Sequence, residues 1–256
     1  MSSIDANKVV DGYTLGQNHI LESLWLSFKN TAHGDWILGI REANILEGIL
    51  KKYQPKHILE LGTGIGASAA ICAFTCPDAN IYTVEHRQKC IDLAKILVPA
   101  SLQERIHFHQ AQAGVISPIY EINPFQYWMG YGEYDWIPYD FILVDGCGPI
   151  MVNVKNEEKN EVWRVLAELP GCDVLFCLDK MLPGTIVYAD KRKLMTHLWD
   201  RHLALYLEKI ESSRLHTVYK RTERPLKPDF EDFLNSDTSY AALLRGGYFD
   251  NKKTDA

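Results

Sequence analysis

The chain has 256 residues, of which 46% are hydrophobic and 11% aromatic, enough apolar surface for a packed core and against intrinsic disorder. Lys and Arg number 27 against 33 Asp and Glu, a net charge of -6, which opposes any general affinity for nucleic acid because counterion release needs an excess of cations. One large domain or two small ones fit this length.

In chain order, residues 1 to 50 read as helical, with Ile20, Leu21, Leu24, Trp25 and Phe28 on one face and a second amphipathic stretch from Ile40 to Leu50. Short Ile- and Val-rich runs then alternate with longer amphipathic ones. Strands are predicted at His57 to Leu61, Asn80 to Glu85, Ile106 to His109, Asp140 to Asp145 and Thr185 to Asp190. Helices are predicted at Ala67 to Thr75, Gln88 to Val98, Glu161 to Met181 with an interruption at Pro170-Gly171, and Lys193 to Arg201. Leu203 to Ile210 and Leu215 to Arg221, joined by a polar turn, predict an antiparallel hairpin. The tail from Pro225 to Ala256 has no clear period. Repeated alternation of strand and helix predicts an α/β fold: a doubly wound, mostly parallel sheet with ligands at the carboxyl ends of its strands.

The six cysteines, Cys72, Cys76, Cys90, Cys147, Cys172 and Cys177, include no C-x-x-C pair and read as core thiols rather than a zinc site or disulfide framework. The N-terminus lacks an apolar signal core and no window approaches the roughly 18 apolar residues of a membrane span, so a cytoplasmic protein without a membrane partner is expected.

The sharpest motif is Glu60-Leu-Gly62-Thr63-Gly64-Ile-Gly66, a strand end that opens directly into a helix. Glycines there allow a tight turn and close approach to a ligand, and the helix N-terminus offers free N–H donors. A lone G-x-G-x-G also suits a dinucleotide fold. Glu60 sharpens the reading, because a carboxylate beside the loop would repel a pyrophosphate and attract an ammonium or sulfonium. Glu85, at the end of the next strand, can accept hydrogen bonds from both hydroxyls of a ribose.

With Val84-Glu85 and Val144-Asp145-Gly146 at further strand ends, the sequence resembles the class I S-adenosylmethionine-dependent methyltransferases over about residues 40 to 221. Ile40 to Leu50, Gly66-Ala-Ser68 and Tyr139 to Asp145 make it most similar to the small-molecule O-methyltransferases of the catechol and caffeoyl-coenzyme A type. The resemblance implies a seven-stranded Rossmann-like methyltransferase sheet with an antiparallel edge hairpin. It divides the chain into an N-terminal helical segment (1–50), a methyltransferase domain (51–221) and a C-terminal extension (222–256). It further implies that Gly62, Thr63, Gly64 and Gly66 wrap the methionine part of S-adenosylmethionine, that Ser68 binds its carboxylate, and that Glu60 lies near its amino group. Glu85 would hold the ribose, His86 would border the adenosine, and Gln112 and Ala113 would meet the adenine. Asp145 would border the cofactor as well. For Ser68 a helix cap is the alternative role.

In the resembling enzymes a divalent metal sits on an Asp after the fourth strand and an Asp-Asn pair after the fifth. Asp145 and Asp190 match the carboxylates, but Lys191 replaces the Asn, and an ammonium cannot ligate a cation. The metal question stays open. Asp145 or Asp190 would accept the hydroxyl proton, while Lys191 would act as a base or orient an anionic substrate.

An aromatic, glycine-punctuated insertion, Tyr120 to Tyr139, reads as a lid over a small-molecule substrate, with a packed excursion or a homodimer contact as the alternatives. Trp25, His33 and Trp36 offer a second wall. Lys191, Arg192, Lys193, Lys220, Arg221, Arg224 and Lys227 form either an anion-attracting group or a solvated face. Two readings compete with the methyltransferase: an NAD-dependent oxidoreductase sharing the glycine turn, and a methyltransferase-like binding module without catalysis.

Overall fold

The computed structural model describes residues 9–10, 13–14, 19–116, 128–131, 134–146, 150–156, 161–167, 173–190 and 193–226. Two short strands, Val9–Val10 (β1) and Tyr13–Thr14 (β2), pair with each other ahead of helices α1 (His19–Lys29) and α2 (Ile40–Tyr53). The chain continues through β3 (His57–Leu61), α3 (Ala67–Thr75), β4 (Asn80–Glu85), α4 (Gln88–Leu97), α5 (Ala100–Gln103) and β5 (Ile106–Gln110). After β6 (Ala113–Ile116), β7 (Trp128–Tyr131), β8 (Phe141–Val144), β9 (Ile150–Asn156) and β10 (Glu161–Ala167) come α6 (Asp173–Cys177), β11 (Ile186–Asp190), α7 (Lys193–His202), β12 (Leu207–Ser212) and β13 (His216–Arg221). No helix among the described residues is long and apolar enough to cross a membrane.

Seven of these strands form one sheet in the order β12-β13-β11-β8-β3-β4-β5. The five strands β5, β4, β3, β8 and β11 run parallel, and β13 runs antiparallel to β11 and β12. This is the doubly wound α/β sheet with an antiparallel edge hairpin predicted from the sequence. The chain winds outward from β3 to β5 and returns on the other side at β8, so the order reverses between β3 and β8. That switch point opens a crevice at the strands' carboxyl ends.

Buried strands read as continuous apolar runs because both faces are covered. Alternate residues serve opposite faces. Ile58, Phe141, Leu143 and Tyr188 pack under Leu21, Phe28, Leu46, Leu50 and Ile71 of α1 to α3. Leu59, Leu61, Ile142, Val144 and Val187 pack on the other side with Val174, Met195 and Trp199 of α6 and α7. Each fully buried Leu or Ile contributes about 1.5–3 kcal/mol relative to exposure.

Two predictions fail and two shift: residues 1–50 are not helical throughout, since Val9–Val10 and Tyr13–Thr14 pair as strands. Glu161–Ala167 is not helical: it is β10, paired in register with β9 from Glu161↔Asn156 to Ala167↔Ile150. Val162, Trp163 and Val165 are β-branched or aromatic and favour a pleated ribbon, while Pro170-Gly171 leaves only Asp173–Cys177 as helix. In the aromatic insertion, Trp128–Tyr131 forms β7 and pairs antiparallel with β6; residues 117–127 and 132–133 lie outside the described residues. In the edge hairpin, Ser212 stays in the ladder opposite Thr217, which moves the turn to residues 213–215.

Candidate functional site

A cleft of about 370 Å³ lies over the carboxyl ends of β3, β4 and β8. Its floor is the glycine loop. Gly62 adopts φ +107° and Gly66 φ +86°, in the left-handed region that side chains disfavour. At Gly62 a Cβ would overlap the backbone of Gly146, so two glycines let the loops after β3 and β8 touch at the switch point. At Gly66, which precedes α3, a Cβ would lie 2.9 Å from both Ala94 Cβ and Val98 Cγ2, so glycine also sets the approach of α4.

Two carboxylates flank this loop. Glu60 is fully buried on β3. Its Oε2 accepts a hydrogen bond from Thr83 Oγ1, which is joined in turn to the hydroxyl of Thr63 in the cleft wall. Its Oε1 is buried with no hydrogen-bond partner. Burial pushes the Glu60 carboxyl up to about 8; the nearby Ser68 and Thr83 hydroxyls pull it down, while the charges of Asp145 and Glu85 push it further up.

Glu85 ends β4 and is buried but ionised. Burial opposes the charge, yet the adjacent His86 ring and the N–H groups of Arg87 and Gly64 outweigh it and hold the carboxyl below its ordinary value. Oε1 takes the N–H of His86 at 2.9 Å and of Arg87 at 3.0 Å, and lies 2.8 Å from His86 Nδ1. Oε2 takes the N–H of Gly64 at 3.1 Å, which ties the glycine loop to the end of β4. A carboxylate offers about four acceptor positions, so Oε2 retains capacity toward the cleft.

Ser68 is buried in the first turn of α3 and donates to Asp145 Oδ2 at 3.4 Å. Asp145 and Asp190 follow or end neighbouring strands, since Val144 of β8 pairs with Ala189 of β11. Among the described residues no three His, Cys, Asp or Glu side chains converge as a metal site. Lys191 and Cys147 lie outside the described residues. Thus Gly62, Thr63, Gly64, Ser68, Glu85, His86 and Asp145 line one crevice, with Glu60 buried behind its wall through Thr83 and Thr63 and Gly66 outside the lining at the start of α3, while Gln112 is exposed beyond β5 and Ala113 is buried at the start of β6.

Of the basic group, Lys220, Arg221 and Arg224 are described with their side chains, and they lie at the far end of the sheet from the cleft. Because β13 runs antiparallel to β11, Lys220 lies opposite Ile186 at the amino end of β11, whereas Asp190 lies opposite His216 at the carboxyl end. Lys220, Arg221 and Arg224 are thereby carried away from the cleft, and Arg192 and Lys227 lie outside the described residues.

Two walls complete the crevice. Trp36 and Ile37 arrive from the segment between α1 and α2, where Trp25 Nε1 donates to Leu38 O at 2.9 Å. Tyr131, on β7, is the other, and its N–H donates to Asp173 Oδ1 at 3.0 Å. Burial pushes Asp173 up to about 7, against the N–H groups of Tyr131 and of Asp173 itself that favour its charge. Sequence reasoning anticipated Trp36 and the aromatic insertion but missed Ile37, Arg87, Cys90 and Asp173. Nothing local distinguishes an Asp before an apolar run from an ordinary helix start.

No family model matches the chain. Among solved structures, the cofactor-bound protein Rv0187 from MTB is similar at 12% identity, covering 84% of this chain and 94% of that one, with a TM-score of 0.51. A methyltransferase from Geobacter sulfurreducens is similar at 10% identity, covering 82% and 91%, also at 0.51. At such identities the likeness is one of fold, the Rossmann-like methyltransferase architecture, and chemistry must be argued from the site.

Proposed function

We propose that the protein is an S-adenosylmethionine-dependent methyltransferase acting on a hydroxyl group of a small molecule. The observation that carries this reading is the pair of carboxylates, Glu60 and Glu85, bordering a glycine loop at the sheet's switch point. A pyrophosphate would meet the ionised Glu85 there and gain nothing from the buried, protonated Glu60. A ligand with an ammonium, a sulfonium and a ribose diol would favour loss of the Glu60 proton, making that carboxylate its counter-charge, and would find an acceptor in Glu85. The unpartnered Glu60 Oε1 supports the fit, since a buried carboxylate oxygen gains from a cationic donor. The fold shared with the Geobacter sulfurreducens methyltransferase agrees at the level of architecture.

In the proposed reaction the acceptor oxygen attacks the methyl carbon in line, the carbon–sulfur bond breaks toward sulfur, and the hydroxyl proton passes to a carboxylate. That Asp145 borders the cleft supports it as the acceptor of this proton, with Asp190, at the end of the neighbouring strand and outside the cleft lining, as the alternative. For a divalent cation these two carboxylates form a thin ligand set, followed in sequence by the non-ligating Lys191. The cleft residues contribute orientation, with the loop and Ser68 on the amino-acid part and Trp36 and Ile37 shielding the transfer from water. A cytoplasmic location goes with this proposal, supported by six cysteines that include no C-x-x-C pair and no disulfide framework.

Isothermal titration with S-adenosylhomocysteine tests the cofactor. Micromolar binding is expected, with no binding of NADH. Glu85→Ala should weaken binding about 10- to 100-fold, the scale of hydrogen bonds to a charged group. Tight NADH binding with none of S-adenosylhomocysteine would favour the oxidoreductase, and cofactor binding without transfer across a panel of hydroxylated acceptors would favour a binding module.

A further inference from the structure

We infer that Arg87 and His86 are positioning residues for Glu85: Arg87 fixes the ring tautomer of His86, and the ring aims the carboxylate that receives the cofactor's ribose. This rests on the methyltransferase reading and gives two residues outside the glycine loop a defined part in it. Arg87 Nε donates to His86 Nε2 at 3.1 Å. A guanidinium N–H can only donate, so Nε2 is the bare nitrogen and the neutral ring carries its proton on Nδ1. Nδ1 is shielded from solvent and lies 2.8 Å from Glu85 Oε1. The ring proton therefore faces a carboxylate. In the other tautomer two lone pairs would meet at that distance, and the carboxylate would turn away.

The ring completes a set of donors around one oxygen. Oε1 also takes the backbone N–H groups of His86 at 2.9 Å and Arg87 at 3.0 Å, so it is fully engaged within the protein. Oε2 meets the N–H of Gly64 at 3.1 Å and keeps acceptor capacity for a hydroxyl in the cleft. This division of labour between the two oxygens depends on the ring holding Oε1. The segment that carries both residues is itself tied down, since Gln110 Nε2 at the end of β5 donates to His86 O at 3.3 Å. His86 is half-buried and Arg87 exposed, and both line the cleft, so the chain from Arg87 through His86 to Glu85 runs from solvent to a carboxylate that is 5% exposed.

The test is calorimetric titration with S-adenosylhomocysteine of wild type, Arg87→Ala, His86→Asn, His86→Gln and the double variant carrying Arg87→Ala with His86→Asn. Arg87→Ala should weaken binding about 3- to 10-fold, the scale of one net hydrogen bond. His86→Asn, whose amide nitrogen stands where Nδ1 does, should bind like wild type. His86→Gln, whose amide reaches the place of Nε2 instead, should fall as Arg87→Ala does; a residue that merely filled space would tolerate both. In the His86→Asn background Arg87→Ala should cost nothing further, because no tautomer is left to fix. A loss there as large as in wild type would mean that Arg87 touches the ligand itself, and would overturn the inference, as would wild-type affinity in folded Arg87→Ala. Nitrogen NMR shifts of the His86 ring, taken on the unliganded wild type in alkaline buffer, read the tautomer without any substitution. A proton on Nδ1 is expected, moving toward Nε2 in Arg87→Ala, and a proton on Nε2 in wild type overturns the inference as well. A wild type that does not bind S-adenosylhomocysteine overturns the methyltransferase reading beneath it, whatever the tautomer.

Discussion

At the scale of single residues, Glu60 joins a legible sequence signal to an energetic consequence. A Glu two residues before a glycine loop is visible in the sequence, but its complete burial comes from α3 closing over β3, which no local pattern states. Its carboxyl rises from 4.5 to about 8 in the folded protein. Between those values the unfolded chain has released the proton and the folded one retains it, so the unliganded protein loses stability as pH rises from about 4.5 to about 8. Glu60→Gln has nothing to release. Its melting temperature relative to wild type should therefore climb across that window, and a difference independent of pH would contradict the assignment. Asp173 was illegible for the opposite reason. Its role depends on a backbone N–H from a strand on another segment, and sequence spacing carries no trace of that bond.

At the scale of elements, β3 and β4 match their predicted limits because uninterrupted apolar runs with glycine or polar ends leave little choice. The misread stretch is β10, where apolar spacing suited a helix but side-chain type suited a ribbon, and pairing with β9 decided between them. Helix α3 shows how an element holding one side of the site is secured at its far end. The Arg105 guanidinium donates to the carbonyls of Ala73 in the last turn of α3 at 2.7 Å, of its cap Cys76 at 3.0 Å and of Ala79 in the following turn at 3.3 Å, setting positive charge at the carboxyl end of the helix. Arg105→Ala should cost about 2 kcal/mol in urea unfolding. Arg105→Lys should recover only part, since one ammonium cannot span three carbonyls as the planar fork does. Equal stability of all three proteins would remove this role.

For the whole molecule, the alternation of strand and helix and the doubly wound sheet were readable from periodicity, while the ribbons β6–β7 and β9–β10 were not, because helix and strand compete closely where no sheet neighbour is implied. What the sequence could not state is that three loops separated by dozens of residues share one cleft. The loop after β3, the end of β4 and the loop after β8 are joined by hydrogen bonds from Gly64 to Glu85 and from Ser68 to Asp145, and by the contact of Gly62 with Gly146. A ligand seated across them binds the folded chain alone, so it must stabilise the whole sheet by mass action. At about 100 times its dissociation constant, S-adenosylhomocysteine should add about 2.7 kcal/mol. For a chain of this size that is a rise of roughly 5–10 °C in melting temperature. The shift should grow with the logarithm of ligand concentration, be smaller at matched concentration in Glu85→Ala, and be absent with NADH. A rise limited to part of the unfolding transition would mean instead that the cleft loops open independently of the sheet that carries them.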